Sequence, residues 1–160
     1  MRGFSLVEIL VSVLILTFLV AGIFAVLNVG DMSYDADMGL IHLQQQARLA
    51  MDAMTRELRQ ADSNSIVIPV GADSITFIAP LALNPTQWIG PITYQLDTNQ
   101  HQIIRTLAGV PNKIVGNNIS SLSFDKDGDI LDIEFTCQMT TTRRRDLSLS
   151  LKEQVRLRNE

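Results

Sequence analysis

Hydrophobic and polar positions divide this chain into three regimes. Between Ile9 and Val29 there is no charged residue, and Leu, Val, Ile, Phe and Ala fill nearly every position. At ~1.5 Å per residue such a run makes a helix of ~30 Å, about the hydrocarbon thickness of a bilayer. Apolar side chains go right round it, which a helix lying on one surface would not show. The run is predicted to cross a membrane once. Arg2 is the basic residue on its N-terminal side, so the short head is expected in the cytoplasm and the chain after Asp31 on the far side.

Polar residues then enter without breaking the helical period. Leu40, Leu43, Ala47, Met51, Met54, Leu58 and Ala61 recur at three- and four-residue steps, a narrow apolar stripe. Gln44, Gln45, Arg48, Asp52, Arg56 and Arg59 fall between them on a wet face, with Arg48, Asp52 and Arg56 spaced for pairing one turn apart. One helix is predicted over residues 4–61. Gly22, Gly30 and Gly39 are its expected points of bending or fraying.

Beyond residues 62–65 the period changes from 3.6 to 2. Residues 66–70 and 74–78 are predicted strands, and residues 81–91, with Pro85 and Pro91 inside and Pro80 at the edge, a loop. A hairpin is expected from residues 92–96 and 102–106. Further strands are expected at 114–115, 119–124, 130–135 and 147–157. The predicted fold is α+β: a long N-terminal helix, first membrane-spanning and then amphipathic, packed on one antiparallel sheet.

Composition narrows this picture. The chain has 160 residues and a formal net charge of -4. Outside the apolar run about 130 residues remain, enough for one small core. The mildly acidic balance gives no reason to expect nucleic acid. Cys137, the single cysteine, cannot form an internal disulfide and sits in an alternating run as a buried thiol. His42 and His101 stand in no metal-ligand spacing, and no phosphate loop or nucleophile elbow is present, so neither catalysis nor a cofactor is expected.

Glu8 disturbs the simple anchor. A lone ionised carboxylate in lipid costs a few kcal/mol even on mild insertion scales, so Glu8 needs a cationic partner or a proton. A secretory signal peptide would have a shorter apolar core and a small-x-small cleavage site after it. Here the small residue comes before the run, in Arg2-Gly3-Phe4-Ser5-Leu6-Val7-Glu8. Those residues resemble the processing motif of type IV prepilins and of the pseudopilins of type II secretion.

The resemblance implies a pilin-like fold, cleavage by a prepilin peptidase between Gly3 and Phe4, and N-methylation of Phe4. It gives Glu8 an assembly role, facing the charged N-terminus of a neighbouring subunit. Residues 46–61 are similar to the corresponding helix of W-type minor pilins (PilW-like) and J-type minor pseudopilins, and the ending at residues 155–159 resembles that of W-type chains. The implied parts are a leader (1–3), a transmembrane helix (4–30), its amphipathic continuation (31–62) and a β-sheet head (63–160). The implied function is a minor pilin in type IV pilus assembly near the tip, or alternatively a minor pseudopilin of type II secretion. A membrane-anchored enzyme is the rival class. Implied partners are the peptidase, other minor pilins with the major pilin (or pseudopilins), and the inner-membrane assembly platform. The subunit would sit in the inner membrane with its head in the periplasm, then in the filament.

Three other features carry weaker readings. Asp125, Asp127 and Asp129 have a calcium-like spacing, but Thr136 stands where an EF-hand needs glutamate, and a hairpin turn explains them. Arg143, Arg144 and Arg145 read as a solvated basic loop. Trp88 reads either as an interface anchor or as a cap on the core.

Overall fold

A computed structural model describes residues 5–81, 84–142 and 144–157. Gly3 and Phe4 lie outside the described residues, as does Arg143. One helix, α1 (Leu6–Leu58), runs unbroken for 53 residues, ~80 Å at the usual rise. Seven strands follow: β1 (Ser74–Leu81), β2 (Asn84–Asp97), β3 (Gln102–Leu107), β4 (Val110–Asn117), β5 (Ile119–Asp127), β6 (Ile130–Thr140) and β7 (Asp146–Arg156). The class is α+β. All described strand pairs are antiparallel.

The predicted stripe is the face that packs. Leu43, Ala47, Met51, Met54, Leu58 and Ala61 are buried, joined by Ala36, Gly39, Ala50 and Thr55. The six stripe residues and Ala50 meet Ile75, Phe77, Tyr94, Ile103, Leu122, Phe124, Leu131, Ile133, Phe135 and Val155 in one core. Thr55 is tolerated there because its hydroxyl donates to the Met51 carbonyl at 2.9 Å. Cys137 is fully buried, and burial pushes its thiol pKa up to about 11.

Several expectations are corrected. The head holds two sheets, β1-β2-β3-β4 and β5-β6-β7, where one was expected. The break is local: Asn118, at φ 60, turns the chain out of β4 and straight into β5. Residues 66–70 form a single bridge, Val67 with Thr76, and no strand. Pro69 has no N–H to donate, and the left-handed Gly71 and Ala72 turn the chain at once.

Of the expected loop over residues 81–91, Leu81 ends β1, residues 82–83 lie outside the described residues, and residues 84–91 are the first part of β2. Pro91 is accommodated by a bulge: Phe77 pairs with Ile92 and Ala79 with Ile89, leaving Gly90 and Pro91 opposite Ile78. Pro91 therefore owes the ladder no donor. Gly90, at φ 156, allows the approach, since a Cβ there would come within 2.7 Å of Ile78 Cγ2. Finally, α1 runs unbroken through Gly39, so the helix does not fray there. Gly39 is a contact point, where a Cβ would meet Leu147 Cδ1 at 2.9 Å and Met139 Cε at 3.1 Å. Gly116 does the same for β4, where an added Cβ would lie 3.0 Å from that of Ala50.

The far end of α1 is tied to both sheets. Arg105 on β3 donates its Nε to both carboxylate oxygens of Glu57, at 3.1 and 2.9 Å. The Tyr94 hydroxyl donates to Glu57 Oε2 at 2.9 Å. Arg59 pairs with Glu153 on β7 at 3.2 Å, and Lys126 donates to the Ser63 carbonyl at 2.8 Å. The Arg48–Asp52 and Asp52–Arg56 pairs expected along the helix are not formed among the described residues.

Candidate functional site

The first half of α1 stands outside the head. Residues 5–34 are all exposed, and burial begins only at Asp35 and Ala36. The bare part is ~45 Å long at the helical rise. It contains the apolar run, with a mean hydropathy of 2.9 over its best window, and is by length and composition able to cross a membrane.

The three polar side chains of the apolar run bond within the helix. The Ser12 hydroxyl donates to the Glu8 carbonyl at 2.8 Å, Thr17 to Val13 at 2.8 Å, and the Asn28 amide to Phe24 at 2.9 Å. Each bond reaches back one turn, so none of these side chains needs water or a second chain. Glu8 differs. Its carboxylate has no hydrogen-bond or ion-pair partner among the described residues. The nearest buried part of the head begins about 27 residues later, ~40 Å along the axis, so no head cation reaches it. It lies in the first turn of α1, where a negative charge suits the helix dipole. The backbone opens the helix at Ser5, whose carbonyl accepts from Glu8 and Ile9 at 3.0 and 3.2 Å, with no side-chain cap.

Midway along the bare half, Gly22 has nothing within 4 Å of an added Cβ. Phe18, Leu19, Ile23, Val26 and Leu27 surround it in an open apolar notch of about 490 Å³. A notch at a glycine lets another helix backbone approach closely in lipid.

The other sequence candidates are scattered. Asp125 and Asp127 belong to β5, and Asp127 pairs with Ile130 across a two-residue turn at Gly128, φ 57. That is the hairpin reading of these residues. No three metal-binding side chains converge among the described residues. His42 lines a groove of about 460 Å³ at the base of the head, between α1 and the β6–β7 turn. His101 sits in the β2–β3 turn at φ 53. Trp88 pairs with Pro80 and is 41% exposed, so it does not cap the core.

Sequence reasoning missed the Glu57–Arg105–Tyr94 cluster. Tyr94 is buried and stacked on Phe77 with ring centroids 6.1 Å apart. Burial first, then Glu57, holds its pKa well above the ordinary tyrosine range. Burial works against the Arg105 charge, but Glu57 more than offsets it and the pKa rises. Glu57 sits beside the apolar stripe among arginines, so nothing in the local pattern distinguished it from a solvated acid. No protein-family model, curated protein or solved structure matches the chain.

Proposed function

We propose that this chain is a structural subunit of a membrane-assembled filament, a minor pilin of the type IV pilus kind. The observation that carries the reading is the bare helix with Glu8 in its first turn, without a partner among the described residues. Every other polar side chain of the apolar run named above closes on its own backbone; Glu8 alone is left needing a cation. The residues before it, Gly3-Phe4-Ser5, resemble a prepilin processing site. Cleavage after Gly3 would create an ammonium on Phe4, and a neighbouring subunit would bring that ammonium to Glu8. In a poorly solvated helix bundle such attraction is stronger than at a surface. The apolar notch at Gly22 supports the same reading, because it offers a seat for a neighbouring helix.

In this reading the bare half stores the subunit in the inner membrane, head outward in the periplasm, and later packs in the filament core. Two measurements test it. Mass spectrometry of the membrane-extracted protein is expected to show an N-methylated Phe4 terminus; an intact Met1, or a cut near residue 28, would sink it. Glu8→Gln is expected to insert and be cleaved normally yet to fall in sheared filaments. Equal incorporation would show that the charge does not position this subunit.

A further inference from the structure

We propose that Arg144 and Arg145, just before β7, rest on the membrane surface and take the phosphates of anionic phospholipid headgroups. This rests on α1 spanning the membrane, and on nothing else in the filament reading.

The direction of the turn follows from two contacts. Leu147, at the start of β7, lies against Gly39, and Glu153, later in β7, pairs with Arg59. β7 therefore runs the same way as α1, away from the membrane, and the turn before it is the end of the hairpin nearest the bilayer. Gly39 is about ten residues past Val29, ~15 Å along the helix. The chain from Leu147 back to Arg144 reaches up to ~10 Å further at the extended rise. The groove at the base confirms the level: Thr141 and Thr142 line it together with Asp35 and Met38. Asp35 is about six residues past Val29, ~9 Å. The headgroup layer is ~5–8 Å deep on each side of the hydrocarbon, and an arginine side chain bridges what remains.

Three hydrogen bonds tie Arg144 and Arg145 to Thr141. Thr141 N–H donates to the Arg145 carbonyl at 2.8 Å, and Arg144 N–H to the Thr141 carbonyl at 2.9 Å. Arg145 N–H donates to Thr141 Oγ1 at 3.0 Å. Arg144 and Arg145 are exposed and make no ion pair among the described residues. Asp146, the acid next to them, accepts from the Thr140 hydroxyl at 2.7 Å. Asp31, Asp35 and Asp37 stand on the same stretch of α1; Asp31 and Asp35 have partners of their own, and Asp37 is exposed. Two guanidinium groups within a Debye length of ~8 Å of lipid phosphates are attracted to them, and arginine pairs phosphate with two parallel bonds. Basic residues here do not contradict the orientation, since long folded domains cross membranes regardless of their charge.

The test uses the full chain reconstituted in vesicles. Because Cys137 is buried, Thr142→Cys provides one reactive thiol for a fluorophore, and Asn64→Cys, at the far end of the head, provides the control. Quenching by headgroup spin-labelled lipid is compared in phosphatidylcholine vesicles and in vesicles with phosphatidylglycerol added. Quenching at Thr142→Cys is expected to rise with phosphatidylglycerol and fall with salt. It is expected to drop several-fold in Arg144→Gln/Arg145→Gln and to be retained in Arg144→Lys/Arg145→Lys, while Asn64→Cys stays unquenched. Carbonate-resistant insertion, measured in the same vesicles, reports on the span separately. Insertion with no dependence on anionic lipid or on the arginines overturns the proposal. So does loss on adding inorganic phosphate but not chloride at equal ionic strength, which would mean a soluble phosphate ligand. Unchanged quenching with loss of an acidic protein partner in the glutamine variant would assign the turn to that partner instead.

Discussion

The two halves of α1 are one continuous helix made for different surroundings. The first half has side chains exposed on every side, the three polar side chains of its apolar run closed on their own backbone, and a glycine facing open space. The second half has a buried stripe, a glycine pressed against two side chains and a carboxylate shared between Arg105 and Tyr94. Helix propensity does not separate them. What separates them is where the apolar residues go, round the helix or along one side, and that decides whether lipid or protein covers them.

Truncation is expected to split the halves most widely. Leu58→Ala removes a fully buried side chain at the centre of the core and should destabilise the head by ~2–5 kcal/mol. Leu16→Ala, on the bare half, should leave head stability unchanged. Chemical unfolding in detergent, followed by the near-ultraviolet signal of Trp88 and the tyrosines, reads both. Equal losses would mean that the two halves are not independent. The glycines make the next contrast. Gly39→Leu forces atoms into Leu147 and Met139 and should cost ~1–3 kcal/mol. Gly22→Leu should not touch head stability, but fills the notch and should weaken helix–helix contacts in the membrane.

Much of this contrast was legible in the sequence because it depends on periodicity. The change from all-round to one-sided apolar pattern near Gly30 marks where the helix leaves its bare half, and six residues of the predicted stripe are indeed buried. The sheet was less legible. Pro85 and Pro91 read as breakers, yet a bulge opposite Ile78 removes the need for a donor at Pro91. The split into two sheets turns on Asn118, one residue in a left-handed conformation between two runs of ordinary strand pattern. Glu57 was unreadable for a different reason: its partners are distant in sequence, and only folding brings Tyr94 and Arg105 to it. Glu8 stands out in sequence because its neighbours are apolar, while the structure adds that the head cannot supply its partner.

Glu57→Gln tests the polar end of the gripped half. The cluster is partly open, with the Arg105 side chain 18% and the Glu57 side chain 31% exposed. Solvent therefore weakens the pair, and a loss of ~1–2 kcal/mol is expected. Tyr94 gives the cluster a pH signature. Its folded pKa is raised above the ordinary 10.0, so its contribution is complete below pH 10 and is lost as pH climbs beyond it. Cys137 acts with the same sign from 9.0 up to about 11. Stability should fall above pH 9, and Tyr94→Phe should flatten the part above 10. A rise in stability there would contradict the buried, protonated hydroxyl.

The smallest expected effect concerns the tie between α1 and β7. Arg59 and Glu153 meet at 3.2 Å, but their side chains are 62% and 34% exposed. Such pairs are screened by salt and lose side-chain entropy, so the coupling should be below ~1 kcal/mol. A double-mutant cycle of Arg59→Ala and Glu153→Ala isolates it, and the term should shrink further when salt is raised to about 1 M, where the Debye length is ~3 Å. The Glu57–Arg105 pair, on the same end of the helix, should keep more of its coupling at that salt, because its partners are more enclosed. If both pairs faded alike, burial would not distinguish them, and packing of the Leu58 stripe alone would be holding the end of the helix to both sheets.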